Sequence, residues 1–302
     1  MATWQPAPGE TLLARDAIVF ASGTDDTVSG MRWFRGAERE DIQHELPGWP
    51  DGHSYAPEPP AAKITARKVG LFGLGSLYAL VMAALGAFGS GTGAGPGGRR
   101  GPGRPTDREN EVGDFPVMWA APGTLARTLP WQLDPGRRPA EYRTHCVVTD
   151  RRVVILGFPD LDPGQDTVLW EIGRDRIAGV ERMSYSDVGG EAKICFDDGS
   201  WCRLAPPTER IHWTVLRHLT HPTVLLAVSE MTPRQRKYVE SYVASLSERE
   251  PSAAPVVTQR PSGRFLIEVT TKEPLSANHG ITKDYWFMSR RGGRGAIRPN
   301  DL

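Results

Sequence analysis

The chain has 302 residues, with 36 basic and 36 acidic side chains and no formal net charge. That balance excludes a whole-chain electrostatic attraction to nucleic acid or to acidic partners and leaves only local patches. Gly (33) and Pro (26) are frequent enough to predict long irregular segments. The three cysteines include no C-x-x-C, which speaks against a zinc site and against a disulfide scaffold.

The opening residues, MATWQPAPGE, carry no basic and apolar leader, so a cytoplasmic origin is the default expectation. Gly9–Leu13 and Ala17–Phe20 read as a strand or a strand pair. Met31–Leu46 suits a short helix, and the prolines between Pro47 and Pro60 mark irregular linker.

Residues 69–88 (VGLFGLGSLYALVMAALGAF) contain no charge. As a helix they would be about 30 Å long, the thickness of a bilayer's hydrocarbon core. Leu71, Phe72, Leu74, Leu77, Leu80, Val81, Leu85 and Phe88 are then the candidate lipid-facing side chains. Gly75, Ala79, Ala83 and Ala87 recur every four residues, a small-residue face on which two copies could meet. The competing reading packs this helix on the protein itself. Basic residues flank the stretch on both sides, so the positive-inside rule does not orient it. The following GSGTGAGPGGRRGPG is flexible linker and lacks the Lys of a phosphate loop.

Phe115–Leu133 is apolar and broken by proline; a strand and a short turn are expected there. Arg143–Thr149 and Val153–Leu156, separated by Asp150-Arg151-Arg152, predict an antiparallel hairpin. Val168–Ile172 and Arg176–Met183 read as two further strands. Asp198-Gly199 suits a two-residue type I′ turn. In that register Phe196 faces Trp201 and Cys195 faces Cys202. Ile211, Val215, Leu216 and Leu219 recur at helical spacing, so Thr208–Leu219 is expected as an amphipathic helix.

The runs VVTDRRVVIL, LWEIGRDRIAGVER and KICFDDGSW are similar to bacterial pleckstrin-homology-like domains of the GRAM-related and YokE-like kind. The resemblance covers about a third of the chain. It rests on Thr149-Asp150-Arg151-Arg152, Ile172-Gly173-Arg174-Asp175-Arg176-Ile177 and Ile194-Cys195-Phe196-Asp197-Asp198-Gly199. The proline that the family places after the first isoleucine of the second motif is Gly173 here. The likeness implies an α+β fold, an antiparallel β-barrel or sandwich capped by a C-terminal helix, with Pro8-Gly9-Glu10 opening its first strand. An inserted hydrophobic helix and disordered linkers complete it. It implies a non-catalytic binding module with no cofactor. A basic rim made of Arg137, Arg138, Arg151 and Arg152 would hold anionic head groups, guanidinium being suited to bidentate phosphate contacts. Ordinary solvated turn charge is the alternative for these four.

Thr232-Pro233 starts a second helix, with Tyr238, Val239, Tyr242, Val243 and Leu246 as its stripe. Ser252–Leu302 reads as a mostly disordered tail with one added edge strand at Arg264–Val269. Arg290-Arg291-Gly292-Gly293-Arg294-Gly295 is a basic and aromatic-flanked patch of the sort that meets single-stranded nucleic acid or a membrane surface. No G-x-S-x-G, H-E-x-x-H or paired-acid arrangement is present, so an enzyme is not expected. His145 and Cys146 are neighbours on a strand and point to opposite faces.

The expected organisation is residues 1–68 as an N-terminal segment, 69–112 as apolar helix and linker, 113–222 as the domain core, 223–250 as an amphipathic helix and 251–302 as tail. The expected role is a binding or scaffold module at the inner face of a membrane, its partner a lipid or another protein and not a specific nucleic acid. A soluble protein–protein adaptor is the alternative, and an unrecognised enzyme the third reading.

Overall fold

The computed structural model describes residues 3–21, 28–29, 42–51, 56–57, 117–162, 164–183, 191–207, 214–221, 223–249, 251, 253–271, 280–281, 283–296, 298 and 301. The expected helix at 69–88 lies outside the described residues. So do its candidate lipid contacts (Leu71, Phe72, Leu74, Leu77, Leu80, Val81, Leu85, Phe88) and its small-residue face (Gly75, Ala79, Ala83, Ala87). Among the described residues no helix is long and apolar enough to cross a membrane.

Two sheets share one core. The first has the order β1 (Leu12–Ala17), β6 (Tyr142–Thr149), β7 (Arg152–Pro159), β8 (Thr167–Gly173). The second runs β2 (Val19–Phe20), β11 (Trp201–Ala205), β10 (Ala192–Phe196), β9 (Ile177–Arg182), and β5 (Met118–Trp119) also pairs with β11. All pairings are antiparallel. A separate ribbon joins β3 (Val28–Ser29) to β4 (Ala56–Pro57).

The β6–β7 hairpin turns at Asp150-Arg151, with Val148 opposite Val153. Its apolar runs are continuous because both faces are covered. Cys146, Val148, Val153 and Ile155 enter the shared core. Val147, Val154 and Leu156 form a second cluster on the opposite face, covered by Trp4 and Leu12. A strand buried on both sides loses its apolar–polar alternation.

The start of β1 is tied to that hairpin by Glu10. Its carboxylate accepts two bonds from the Arg152 guanidinium at 2.9 Å each and one from the Thr149 hydroxyl at 2.6 Å. Burial pushes the Glu10 carboxyl up, but the bonds from Arg152, Thr149 and the Ala7 N–H outweigh it and bring it down to about 2. The Pro8-Gly9-Glu10 and Thr149–Arg152 signatures thus form one contact.

The closed, helix-plugged barrel is not what forms. The described sheets stay open, and the gap falls between β8 and β9. There the 3₁₀ turn Arg174–Arg176 parts the two strands instead of letting them pair. Trp170 and Phe196 bridge the gap by an edge contact, ring centroids 6.2 Å apart. Of the expected Thr208–Leu219 helix, the described part is α1 (Thr214–Leu219), which rests on β1 and β6 and sinks Val215, Leu216 and Leu219 into the core. The fold is sheet-rich, with two described α-helices.

The expected type I′ turn is also corrected. Cys195 pairs with Trp201 and Ile194 with Cys202, one residue away from the predicted register. Phe196 N–H donates to the Ser200 carbonyl at 2.8 Å, and Gly199 takes φ +82°. This is a three-residue loop ending in a left-handed glycine. Cys195 and Cys202 therefore point to opposite faces, and no disulfide joins the three cysteines.

The C-terminal region departs most from expectation. In place of a tail with one edge strand, the described residues 253–271 and 283–288 form regular sheet. They carry β13 (Val256–Gln259), β14 (Phe265–Thr270) and β15 (Lys283–Met288), which with β12 (Val224–Leu225) form a four-stranded sheet in the order β12-β13-β14-β15. Phe265, Ile267, Val269 and Met288 pack against Val239, Tyr238, Tyr242, Val243 and Leu246 of α2 (Pro233–Ser245). Thr232 caps that helix. Its hydroxyl accepts from Gln235 N–H at 3.3 Å while the Gln235 side chain accepts from Thr232 N–H at 2.8 Å.

Candidate functional site: a strand-edge groove

The four arginines expected to form a basic rim do not converge. Arg137 is 4 % exposed, pairs with Asp134, and its guanidinium stacks 5.6 Å over Trp49. Arg138 donates to the Thr144 hydroxyl at 2.8 Å. Arg152 holds Glu10 and Glu171 and covers Trp4. Arg151 is exposed and donates to the Gly9 carbonyl at 2.7 Å. Thr144 and Thr149 are five residues apart on β6, so the two arginine pairs sit about 17 Å apart, at opposite ends of one strand.

A concave feature of this unit lies instead at the open gap. A groove of about 390 Å³ is lined by Asp150, Arg174, Asp175, Ile177, Ala178, Gly179, Val180, Leu219, Thr220, His221 and Thr223. One wall is the outer edge of β9, which among the described residues pairs only with β10. The other is the chain leaving α1.

Arg174 holds that second wall. It donates to the Thr149 carbonyl at 3.1 Å, the Thr223 hydroxyl at 2.5 Å and the His218 carbonyl at 2.5 Å. The bond to His218 satisfies a carbonyl at the end of α1 that has no partner within the helix, and the other two tie that end to β6 and to Thr223. Burial lowers the Arg174 pKa, and Asp150 opposes the shift. The arginine is therefore occupied in fixing the groove.

Backbone polarity along β9 follows from the ladder. Met183 N–H donates to the Glu191 carbonyl at 2.7 Å, which makes that pair a hydrogen-bonded one. Antiparallel alternation then turns Glu181 and Gly179 inward and leaves the N–H and C=O groups of Val180 and Arg182 facing outward. Ala178 is the extra residue of a bulge opposite Cys195 and Phe196. Ala178 and Gly179 carry little side-chain bulk, and a Cβ added at Gly179 would meet open space. Val180, Ile177 and Leu219 supply an apolar floor, while the exposed Asp175 and the half-buried Asp150 supply carboxylates at the rim.

A second group of titratable residues is sealed inside. Glu268 of β14 meets His218 at 2.8 Å and Arg217 at 3.1 Å. Lys283 donates to the Leu13 and Leu12 carbonyls at 2.7 and 3.2 Å. Burial would raise the Glu268 pKa, but His218, Lys283 and Arg217 outweigh it and hold it at about 2. Burial keeps the His218 imidazole below its usual range. Asp16 accepts from Thr214 and Val215 N–H at 2.8 and 3.3 Å, and burial raises its carboxyl to about 6. Glu268 and His218 are essentially inaccessible. The cluster joins the C-terminal sheet to β1 and α1 and offers no path to a ligand. Cys146 lies in the core, where burial raises its thiol pKa. His145 lies on the other face, its Nδ1 accepting from Arg15 at 3.2 Å.

Compared with known protein families, curated proteins and solved structures, the chain matches none. Sequence reasoning missed the groove because its lining comes from three separate stretches. One local signal was available: Gly179 inside a strand pattern marks a bulge or a close approach of another backbone.

Proposed function

We propose that this chain is a non-catalytic binding module that takes an extended peptide segment along the free edge of β9. The carrying observation is the outward-facing backbone of Val180 and Arg182 beside an apolar floor. An added strand supplies main-chain hydrogen bonds, and pockets for alternate side chains supply selectivity. The floor of Ile177, Val180 and Leu219 suits one apolar side chain. Asp150 and Asp175 at the rim suit a basic residue next to it.

An array of ten-residue peptides probed with the full chain tests this reading. Bound sequences should share an apolar residue with a Lys or Arg close by. N-methylating alternate amides of such a peptide should abolish binding, while methylating the intervening amides should not. Asp175→Arg should weaken binding roughly tenfold with the fold intact. Peptides indifferent to backbone methylation, or to Asp175→Arg, would overturn the reading.

The uncharged stretch 69–88 favours a second, compatible reading, in which the module is held at a membrane face. Vesicle flotation of the full chain with and without residues 69–88 tests it; equal behaviour of the two would remove the membrane from the account.

A further inference from the structure

We propose that the C-terminal sheet carries a separate site for a compact, multiply charged oxyanion of the phosphomonoester or pyrophosphate kind. The site is a cavity of about 350 Å³ lined by Ser262, Arg264, Ser289, Arg290, Arg291 and Arg298. It is independent of the β9 groove.

Two loops build it. Arg264 ends the β13–β14 turn, and the other three arginines follow β15. Phe265 pairs with Met288, so both loops emerge at the same end of the sheet. Each loop is anchored. Gly263 takes φ +75°, and the Arg290 guanidinium lies where its Cβ would be, with Nε donating to the Gly263 carbonyl at 2.9 Å. Arg290 in turn accepts from the Gln235 side chain of α2 at 2.9 Å. Asp301 is fully buried and accepts from the Ser262 hydroxyl at 3.0 Å, Ser262 N–H at 3.3 Å and Arg298 N–H at 3.2 Å.

The guanidinium charge of this cavity is not ion-paired among the described residues; the buried Asp301 carboxylate beside it is taken up by Ser262 and the Arg298 N–H. Among the described residues no carboxylate stands within ion-pair distance of Arg264, Arg290, Arg291 or Arg298. The arginines around β1 and β6 differ: Arg15, Arg137, Arg152 and Arg217 each hold a carboxylate. Guanidinium groups gathered without a counter-charge repel one another, and an oxyanion accepting forked bonds from several of them relieves that repulsion.

The neighbouring aromatic residues decide against a single-stranded nucleic acid. Such a ligand needs ring faces on which bases stack. Trp286 already stacks on Tyr242, with centroids 6.0 Å apart, donates to the Tyr238 hydroxyl at 2.9 Å and is covered by Arg294 at 4.9 Å. Tyr285 is covered by Arg217 at 4.4 Å. The remaining concavity suits a small anion.

The test uses the full chain and inorganic pyrophosphate at low ionic strength, read by calorimetry and thermal unfolding. Pyrophosphate should bind and raise the unfolding midpoint. Arg298→Ala and Arg291→Ala should each weaken binding by roughly tenfold. Without ligand their unfolding midpoints should be unchanged or raised, since only repulsion is lost. Gly263→Ala, which displaces Arg290, should weaken binding as well. Phosphatidylcholine vesicles doped with phosphatidic acid form the second arm: recruitment that needs Arg298 assigns the phosphate to a lipid head group, and pyrophosphate binding alone assigns it to a soluble ligand. No response to either probe, or binding that survives both arginine substitutions, would overturn the proposal. So would single-stranded RNA binding more tightly than pyrophosphate in an Arg298-independent way.

Discussion

The β9 groove and the C-terminal cavity differ in what they leave unsatisfied. At the β9 groove the basic side chain is occupied: Arg174 is committed to three carbonyl and hydroxyl oxygens, and what remains open is backbone, apolar floor and rim carboxylate. At the C-terminal cavity the backbone is anchored by Asp301 and Gln235, and what remains open is the guanidinium charge. A ligand is predicted by the groups a surface has not already paired. One surface asks for an extended chain, the other for an anion.

That contrast presumes one folded body, and the largest expected effect tests the seam. Glu268→Ala strips the carboxylate from between Arg217, His218 and Lys283. Breaking a buried pair this way costs about 3–5 kcal/mol. Urea unfolding followed by fluorescence should show a single transition at a lower midpoint; two separated transitions would mean that the surfaces belong to independently stable parts.

Asp16 gives the next effect, and its sign is set by burial. Its carboxyl is raised from the ordinary 3.8 to about 6, so the folded chain prefers it protonated. The cost is absent below pH 4, grows through the interval and is constant above pH 6, where it reaches about 3 kcal/mol. Asp16→Asn keeps an acceptor for Thr214 and Val215 N–H. It should be more stable than the parent at pH 7, with the gap closing towards pH 4 in a series of denaturant melts.

Thr232→Ala removes the cap of α2 and should cost about 1 kcal/mol. Because α2 holds Arg290 through Gln235, the same change should weaken pyrophosphate binding and leave peptide binding alone. The smallest stability effects belong to the two rims. Asp175→Arg and Arg298→Ala should each shift unfolding by no more than about 0.5 kcal/mol. Their binding defects should be crossed: the first loses peptide and keeps pyrophosphate, the second the reverse. A variant that lost both ligands would collapse the distinction between the surfaces.

How much of this could be read in advance depends on how local each feature is. The β6–β7 hairpin, the strand opened by Glu10 and the Thr232 cap are each written within a few adjacent residues, and each forms. The Asp198-Gly199 dipeptide marked a turn but not its length; Gly199 serves equally at the end of a three-residue loop, and the choice moved Cys195 away from Cys202. The C-terminal sheet escaped because β14 is buried on both faces. Ile267 and Val269 turn to α2, while Glu268 turns to Arg217 and His218, so alternation gave way to a charge in the middle of an apolar run. The arginine rim misled for a similar reason where Arg152 is concerned: Glu10, which neutralises it, lies 142 residues away; for Arg137 the partner Asp134 was only three residues off. The open gap between β8 and β9 depends on the Arg174–Arg176 turn, whose partners Thr223 and His218 lie more than forty residues away.

The most direct measurement is amide hydrogen exchange along β9, with and without a peptide chosen from the array. The amides of Val180 and Arg182 face outward and should exchange rapidly in the free chain, then slow by about tenfold or more when the peptide is present at saturation. Those of Gly179 and Glu181, already in the β10 ladder, should change little. Unaltered exchange at Val180 and Arg182 in the presence of a bound peptide would contradict the account.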